Sequence, residues 1–309
     1  MRMCLINNLN KIEEFFEKNS QNINIKKNFS LADISYLKIG GIAKYYVEPK
    51  NLDVLKQLIK TASEEDIPYV VVGNCSNILF SDKDFDGIII SLKGLEQKII
   101  IKDDFVEISG NVSVANFIFE VYNKGLGGAE FLSGIPGNVL SSVFLNAGSK
   151  FGCFSDILTD VVLITKQGKQ ILITKKNIKF SYRKADFNLN GILIKAGFLL
   201  KKSDKELIKK NIDKILVYKK SVQPLEKLSL GCVFKNPEGV SAGRLIESAG
   251  LKGFSVNDIV VSEKHANFFI NKGAGKACDF YKLINIVKQK VLDKYNINLE
   301  LEINLIGEF

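Results

Sequence analysis

The sequence contains no tryptophan, a single histidine, His265, and only three arginines among its 43 Lys and Arg residues. One histidine excludes any site that needs two imidazoles. Five cysteines, Cys4, Cys75, Cys153, Cys232 and Cys278, are scattered without a Cys-x-x-Cys pair. An odd, dispersed set argues against both a disulfide framework and a structural zinc site. No apolar run approaches the roughly 20 residues that cross a bilayer. The opening Met1-Arg2-Met3-Cys4-Leu5 soon meets Glu13, Glu14 and Glu17 and lacks the long apolar core of a secretory leader. These absences predict a reduced, cytoplasmic protein with no metal and no membrane partner.

What is present is ordinary globular material, 46% hydrophobic and 25% charged. At 309 residues the chain exceeds one typical domain, so two or three are expected, each able to bury a core. The net charge of +9 leaves two readings open: lysines spread over solvated faces, or affinity for nucleic acid or a phosphorylated small molecule. Two of the three arginines, Arg183 and Arg244, fall inside candidate motifs, and the arginine fork grips carboxylate or phosphate in a way lysine does not. No cluster of arginines with aromatics marks a nucleic-acid surface. A basic nucleic-acid-binding protein stands as the alternative of a different class.

Along the chain, residues 8–18 read as an amphipathic helix and 44–49 as a strand stopped by Pro49. Residues 51–63 read as a helix capped by Asn51, with Leu52, Leu55 and Ile59 on one face. The apolar run 68–73 reads as a strand buried on both faces, and 87–92 as another. Two adjacent strands are expected over 99–110, a helix over 114–122, and strands at 161–165, 170–174 and 191–200. Lys201 to Lys205 form a charged seam suited to a boundary, followed by a helix over 206–219. The last third predicts a short helix at 241–249 ended by Gly250, a long helix at 277–295 and a strand at 299–306. The pattern is α+β in three parts.

Chemistry concentrates in two kinds of segment. Gly73-Asn74-Cys75-Ser76-Asn77, Ser133-Gly134-Ile135-Pro136-Gly137-Asn138 and Asn146-Ala147-Gly148-Ser149 are small-residue loops that let backbone N–H groups approach an anion. Each alone is an ordinary turn; three together suit a long phosphate-bearing cofactor better than a single phosphate. None is a Walker A loop, and Gly125-Leu126-Gly127-Gly128 only superficially resembles a dinucleotide fingerprint. Residues 231–267 gather Cys232, Lys235, Asn236, Arg244, His265 and Asn267, a mixture suited to an anionic substrate that also receives a proton.

With Leu37-Lys38-Ile39-Gly40-Gly41 and Tyr182-Arg183, these segments resemble, in order from about Leu37 to Glu308, the UDP-N-acetylenolpyruvoylglucosamine reductase (MurB) family, in the subtype lacking an inserted tyrosine loop. The resemblance implies a two-part FAD-binding fold of the vanillyl-alcohol-oxidase (PCMH) type plus an α/β substrate-binding domain. It implies FAD-binding parts at 1–92 (joined by 299–309) and 93–202, and a substrate-binding part at 203–298. It implies NADPH-dependent reduction of UDP-N-acetylglucosamine enolpyruvate to UDP-N-acetylmuramate for peptidoglycan, by a monomer with noncovalent FAD. An FAD-dependent sugar or alcohol oxidase of the same fold is the alternative within enzymes. Gly73, Asn74, Cys75, Ser76, Asn77, Ile78, Gly134, Ile135, Pro136, Gly137, Asn138, Ser142, Asn146 and Gly148 are implied FAD contacts. Arg183, Cys232 and Glu302 match the catalytic set. Tyr182, Lys235, Asn236, Arg244, His265 and Asn267 are implied substrate contacts.

The sequence departs from the family pattern at four places. Cys232 stands where a proton-donating serine is usual, Leu140 and Cys75 where glycines are usual, and Ala185 where a serine is common. Leu140 must point away from the cofactor. Plainer readings also stand. Arg244 and Glu247 suit a surface pair, His265 and Tyr182 suit structural roles, and Glu300 shares a strand face with Glu302.

Overall fold

The computed structural model describes residues 2–309, and side chains from residue 10 onward. The chain divides into two compact units, each assembled from three separated segments. The first takes the chain up to Lys27, Lys44–Gly73 and Asp86–Leu216; the second takes Asn28–Ala43, Asn74–Phe85 and Val217–Phe309.

The first unit is built on two sheets. In one, strands Ile23–Ser30, Ile42–Pro49, Phe85–Ser91 and Tyr69–Val72 lie in that order, save for strand ends that belong to the second unit. The helix Leu52–Glu64 packs Leu55, Leu58 and Ile59 into a core with Ile88 and Ile90. Asn51 caps this helix, its Oδ1 accepting the Val54 N–H at 3.0 Å. The strand at Tyr69–Val72 pairs parallel with Phe85–Ser91 but lies at the sheet edge, and only Val72 is fully buried. Its apolar run therefore covers a sheet margin and is not buried on both faces.

The second sheet of this unit is antiparallel, in the order Gln170–Thr174, Leu158–Thr165, Gly191–Leu199, Phe105–Ser109, Lys98–Lys102. The helix Val114–Asn123, capped by Ser113, and the short helix Val139–Phe144 cover it around Phe117, Phe154 and Phe198. At roughly 1.5–3 kcal/mol per buried Phe side chain, such a core fixes where the loops leave it. Lys201 and Lys202 do not end a unit; they pair with Leu126 and Gly127 and lead into the helix Lys205–Val222.

The second unit holds a four-stranded antiparallel sheet, in the order Ser229–Cys232, Phe268–Asn271, Ile259–Val261, Ser255–Val256. The helices Ala242–Ser248 and Ala277–Tyr295 contribute Ile246, Phe280 and Val287 to a core with Phe234 and Phe269. Asp82 caps the long helix, its carboxylate accepting the Ala277 and Cys278 N–H groups at 2.9 and 2.8 Å. The expected last strand shortens to Asn304–Ile306, which runs parallel with Ile78–Phe80. Upstream, Leu301 forms only an isolated bridge with Phe234.

Candidate active site

In the first unit, Gly134 (φ +72°) and Gly137 (φ +107°) are solvent-accessible between the buried Ser133 and Asn138. Asn138 caps the helix Val139–Phe144, accepting the Ser141 N–H at 2.7 Å, and donates through Nδ2 to Asn111 Oδ1 at 2.6 Å. Ser142 Oγ donates to the Asn138 carbonyl at 2.8 Å. A Cβ on Gly73 would collide with Asn138 Nδ2 and come within 2.6 Å of Ser141 Oγ, so the Gly73 backbone lies directly on this loop. Leu140 points into the core and is 3% exposed, away from the loop surface. Ala185 is likewise buried in that core.

Asn146 (φ +41°) ties two loops together, donating to the Ser181 carbonyl at 3.2 Å and accepting the Ser155 N–H at 3.0 Å. Gly148 is required where it stands, because a Cβ there would meet the Gly152 carbonyl oxygen and Cys153 Cβ at 2.5 Å. The hairpin Lys179–Ser181 with Lys184–Asp186 turns through Tyr182 and Arg183. Arg183 has φ +58° while Tyr182 does not, the pattern of a type II turn that favours glycine at the second position. The Arg183 Nη1 donates to the Gly148 carbonyl at 2.7 Å, and its guanidinium lies 5.2 Å from the Tyr182 ring centre. Tyr182 is 50% exposed and is not a core residue.

In the second unit, Asn74 to Asn77 form a turn in which Cys75 takes φ +55°, the reason glycine suits that position. Asn77 Nδ2 donates to the Glu302 carbonyl at 3.0 Å, and the Asn77 carbonyl accepts the Asn304 N–H at 2.9 Å. Cys232 ends an edge strand. The register with Phe268–Asn271 shifts between Ser229 and Cys232, where Gly231 has φ +78°. A bulge of this kind re-aims the next side chain, and Cys232 is left half-buried. The Glu302 N–H donates to the Val233 carbonyl at 2.8 Å, which bends the chain and interrupts the expected strand. Glu302 is half-buried, whereas Glu300 is exposed and pairs with Lys235 at 3.3 Å, so the two carboxylates do not share an environment.

The remaining residues of this unit divide by what they touch. Asn236 Oδ1 accepts the Ala242 N–H at 3.0 Å and fixes the start of the helix Ala242–Ser248. Arg244 on that helix is exposed, and Glu247 pairs with Lys252 at 2.6 Å. His265 is half-buried, its ring edge-on to Phe268 at 4.8 Å. Its Nδ1 accepts the Asn267 N–H at 3.3 Å, which leaves Nε2 to carry the proton of the neutral ring. Burial pushes its imidazole below the usual value. Asn267 is fully buried, with its side-chain amide engaged by Phe234. A separate cavity of about 600 Å³ lined by Asp82, Cys278, Tyr281 and Phe309 contains none of these site residues. Sequence reasoning missed Asn111 and the part played by Gly231. A glycine inside a strand pattern signals such a bulge, whereas the Asn111–Asn138 pair carries no local signal.

The small-residue loops of each unit have, taken singly, backbone suited to an anionic group. Gly134 and Gly137 in the first unit and Cys75 in the second take positive φ, which matches backbone that turns its N–H groups toward an anion, whereas the Cβ side of Gly73 is taken up by Asn138 and Ser141. Residues 43–174 match the FAD binding domain family. Fold and site thus define an oxidoreductase with a two-part FAD-binding fold of the vanillyl-alcohol-oxidase type and a separate α/β substrate-binding domain. Residues 223–306 match the C-terminal domain of UDP-N-acetylenolpyruvoylglucosamine reductase. The UDP-N-acetylenolpyruvoylglucosamine reductase of Clostridium novyi (strain NT) is 36% identical over 301 residues, covering 96% of each chain. That of Halalkalibacterium halodurans is 38% identical, covering 92% of this chain and 95% of its own. The crystal structure of the Thermus caldophilus enzyme superimposes with a TM-score of 0.79 at 31% identity, covering 92% of this chain and all of that one. The chain belongs to the UDP-N-acetylenolpyruvoylglucosamine reductase (MurB) family.

Proposed function

We propose that Arg183, Cys232 and Glu302 carry out the family's reaction on a bound enolpyruvyl ether. That reaction is the flavin-dependent, NADPH-driven reduction of UDP-N-acetylglucosamine enolpyruvate to UDP-N-acetylmuramate in peptidoglycan synthesis. One hydride and one proton saturate the carbon–carbon double bond, and NADP⁺ is released. The loops at 73–78, 134–138 and 146–148 with Ser142 would hold FAD noncovalently, and the bound flavin would supply hydride chemistry for the β-carbon.

Hydride addition places negative charge on the α-carbon and the adjoining carboxylate. The Arg183 guanidinium, oriented by the Gly148 carbonyl and the Tyr182 ring, holds the carboxylate and stabilises that charge. The Cys232 thiol gives its proton to the α-carbon and is reprotonated from water. A thiol, with an ordinary pKa of about 8.5, is a far stronger acid than the hydroxyl usual at this position. Glu302, in its protonated form, assists the charge stabilisation from the segment bonded to Val233, or orients water and its neighbours. Tyr182, Lys235, Asn236, Arg244 and His265 hold the diphosphate, sugar and carboxylate, with His265 donating from Nε2. The protein acts as a cytoplasmic monomer on its nucleotide sugar and NADPH, with no nucleic-acid or membrane partner. Among the described residues no helix is long and apolar enough to cross a membrane.

The observation that supports this reading most strongly is the Gly231 bulge, which breaks the ladder just before Cys232, one residue from the Val233 carbonyl that accepts the Glu302 N–H. The test is NADPH consumption by the yellow protein with and without UDP-N-acetylglucosamine enolpyruvate, in the absence of air. Consumption that requires the nucleotide sugar, with product heavier by two hydrogens, is expected. In a parallel assay with air admitted, peroxide formation on a sugar alcohol without that substrate supports the oxidase alternative. A colourless preparation that shifts RNA in a gel supports the nucleic-acid alternative.

A further inference from the structure

We propose that Asn267 is a positioning residue that fixes Cys232 and Glu302 relative to each other, and that it does not contact substrate. The proposal rests on the reading of Cys232 as proton donor and Glu302 as charge stabiliser. The Asn267 side chain is 1% exposed. Its Oδ1 accepts the Phe234 N–H at 2.9 Å, and its Nδ2 donates to the Phe234 carbonyl at 2.7 Å. Because Phe234 offers one backbone donor and one backbone acceptor, the orientation of the amide is fixed. The Asn267 carbonyl also accepts the Val233 N–H at 2.8 Å. One residue thereby makes three bonds to the two residues that follow Cys232.

The same framework reaches Glu302. The Val233 carbonyl accepts the Glu302 N–H at 2.8 Å, and Phe234 bridges Leu301. The segment after Cys232 is thus held on one side by Asn267 and on the other by the residues around Glu302. The need for a side chain follows from the bulge. The ladder to Phe268–Asn271 shifts at Gly231, and the last paired residue is Cys232. Beyond that point the buried backbone groups of Phe234 need another partner. A side-chain amide carries the same donor and acceptor as a peptide, and asparagine at 267 supplies both in place of the missing rung. A substrate contact requires an amide open to the ligand; here both ends are engaged and solvent is excluded.

Asn267→Asp keeps the volume and the acceptor and, as the ionised carboxylate, has no donor for the Phe234 carbonyl. The expected result is flavin reduction by NADPH within about twofold of wild type, and a substrate dissociation constant within about threefold. Single-turnover reoxidation by UDP-N-acetylglucosamine enolpyruvate slows by about 30-fold or more, with a larger solvent deuterium isotope effect, because proton delivery is displaced. In a Cys232→Ala background, adding Asn267→Asp slows reoxidation by clearly less than the about 30-fold expected in wild type, since one of the two groups it positions is gone and only the Glu302 part remains. Substrate binding weakened about tenfold at an unchanged saturating rate overturns the proposal in favour of a direct contact. Wild-type behaviour in both half-reactions, or loss of both in step with a lowered Tm, overturns it as well. If Asn267→Asp does not fold, the smaller, uncharged Asn267→Ser takes the same measurements with the same expected and overturning results. If Cys232→Ala alone reoxidises at the wild-type rate, the underlying reading fails and the proposal falls with it.

Discussion

Arg183 occupies backbone that favours glycine, and that conflict separates stability from activity. Arg183→Gly relieves about 1 kcal/mol or more of left-handed strain and loses the Gly148 hydrogen bond, which is worth about as much. Thermal melts of the variant are therefore expected within a few degrees of wild type, while substrate reduction falls by about 10²-fold or more as charge stabilisation is lost. A variant that melts normally and still turns over normally removes Arg183 from the mechanism. His265 gives a second test at this scale. Burial lowers its pKa in the folded state, so the unfolded chain takes up a proton that the fold resists. The stability this provides is present above the unfolded value of about 6.5 and is lost as pH falls through and below it. Denaturation midpoints followed from about pH 7.5 to 5.5 are expected to fall less for His265→Gln than for wild type. Equal slopes contradict the assignment of a neutral, buried ring.

Local elements were legible where one residue governs its own neighbours. The Asn51 cap, the helix Ala242–Ser248 with Gly250 beyond it, and the helix Ala277–Tyr295 all follow from short-range chemistry. The cap on that long helix was not legible, because Asp82 reaches it from 195 residues away in sequence. The strand expected over 299–306 failed for a similar reason: the Glu302 N–H and carbonyl are taken by Val233 and Asn77, which bends the chain before Asn304. Among the site residues, the segments Gly73 to Asn77, Gly134 to Asn138 and 231–267 announced themselves by residue type. Their use of side chains did not. Asn138, Ser142 and Asn146 brace loops with side chains that sequence alone suggested for a cofactor. The loop geometry yields its own prediction. Gly73→Ala places a methyl group against Asn138 and Ser141, with an expected cost of about 1–3 kcal/mol and weaker retention of FAD. Urea denaturation and the flavin-to-protein absorbance ratio check both; full stability with full flavin content contradicts the packing argument.

At the scale of the whole molecule, three hydrophobic cores among the described residues serve two units, and each unit draws on three stretches of chain. Hydrophobic periodicity located the elements but carries no record of which distant segments share a core, so the interleaving of the units was invisible in sequence. The order of motifs from Leu37 to Glu308 was visible, because each motif keeps its residue types whatever lies between. The excess of lysine decides little about function. The account stands on the Cys232 thiol as proton source, and the two half-reactions of Cys232→Ala, followed without air, test it most directly. Bleaching of the flavin by NADPH is expected at the wild-type rate, and reoxidation by UDP-N-acetylglucosamine enolpyruvate is expected to slow by about 10³-fold or more. Reoxidation of the alanine variant at the wild-type rate would contradict the account.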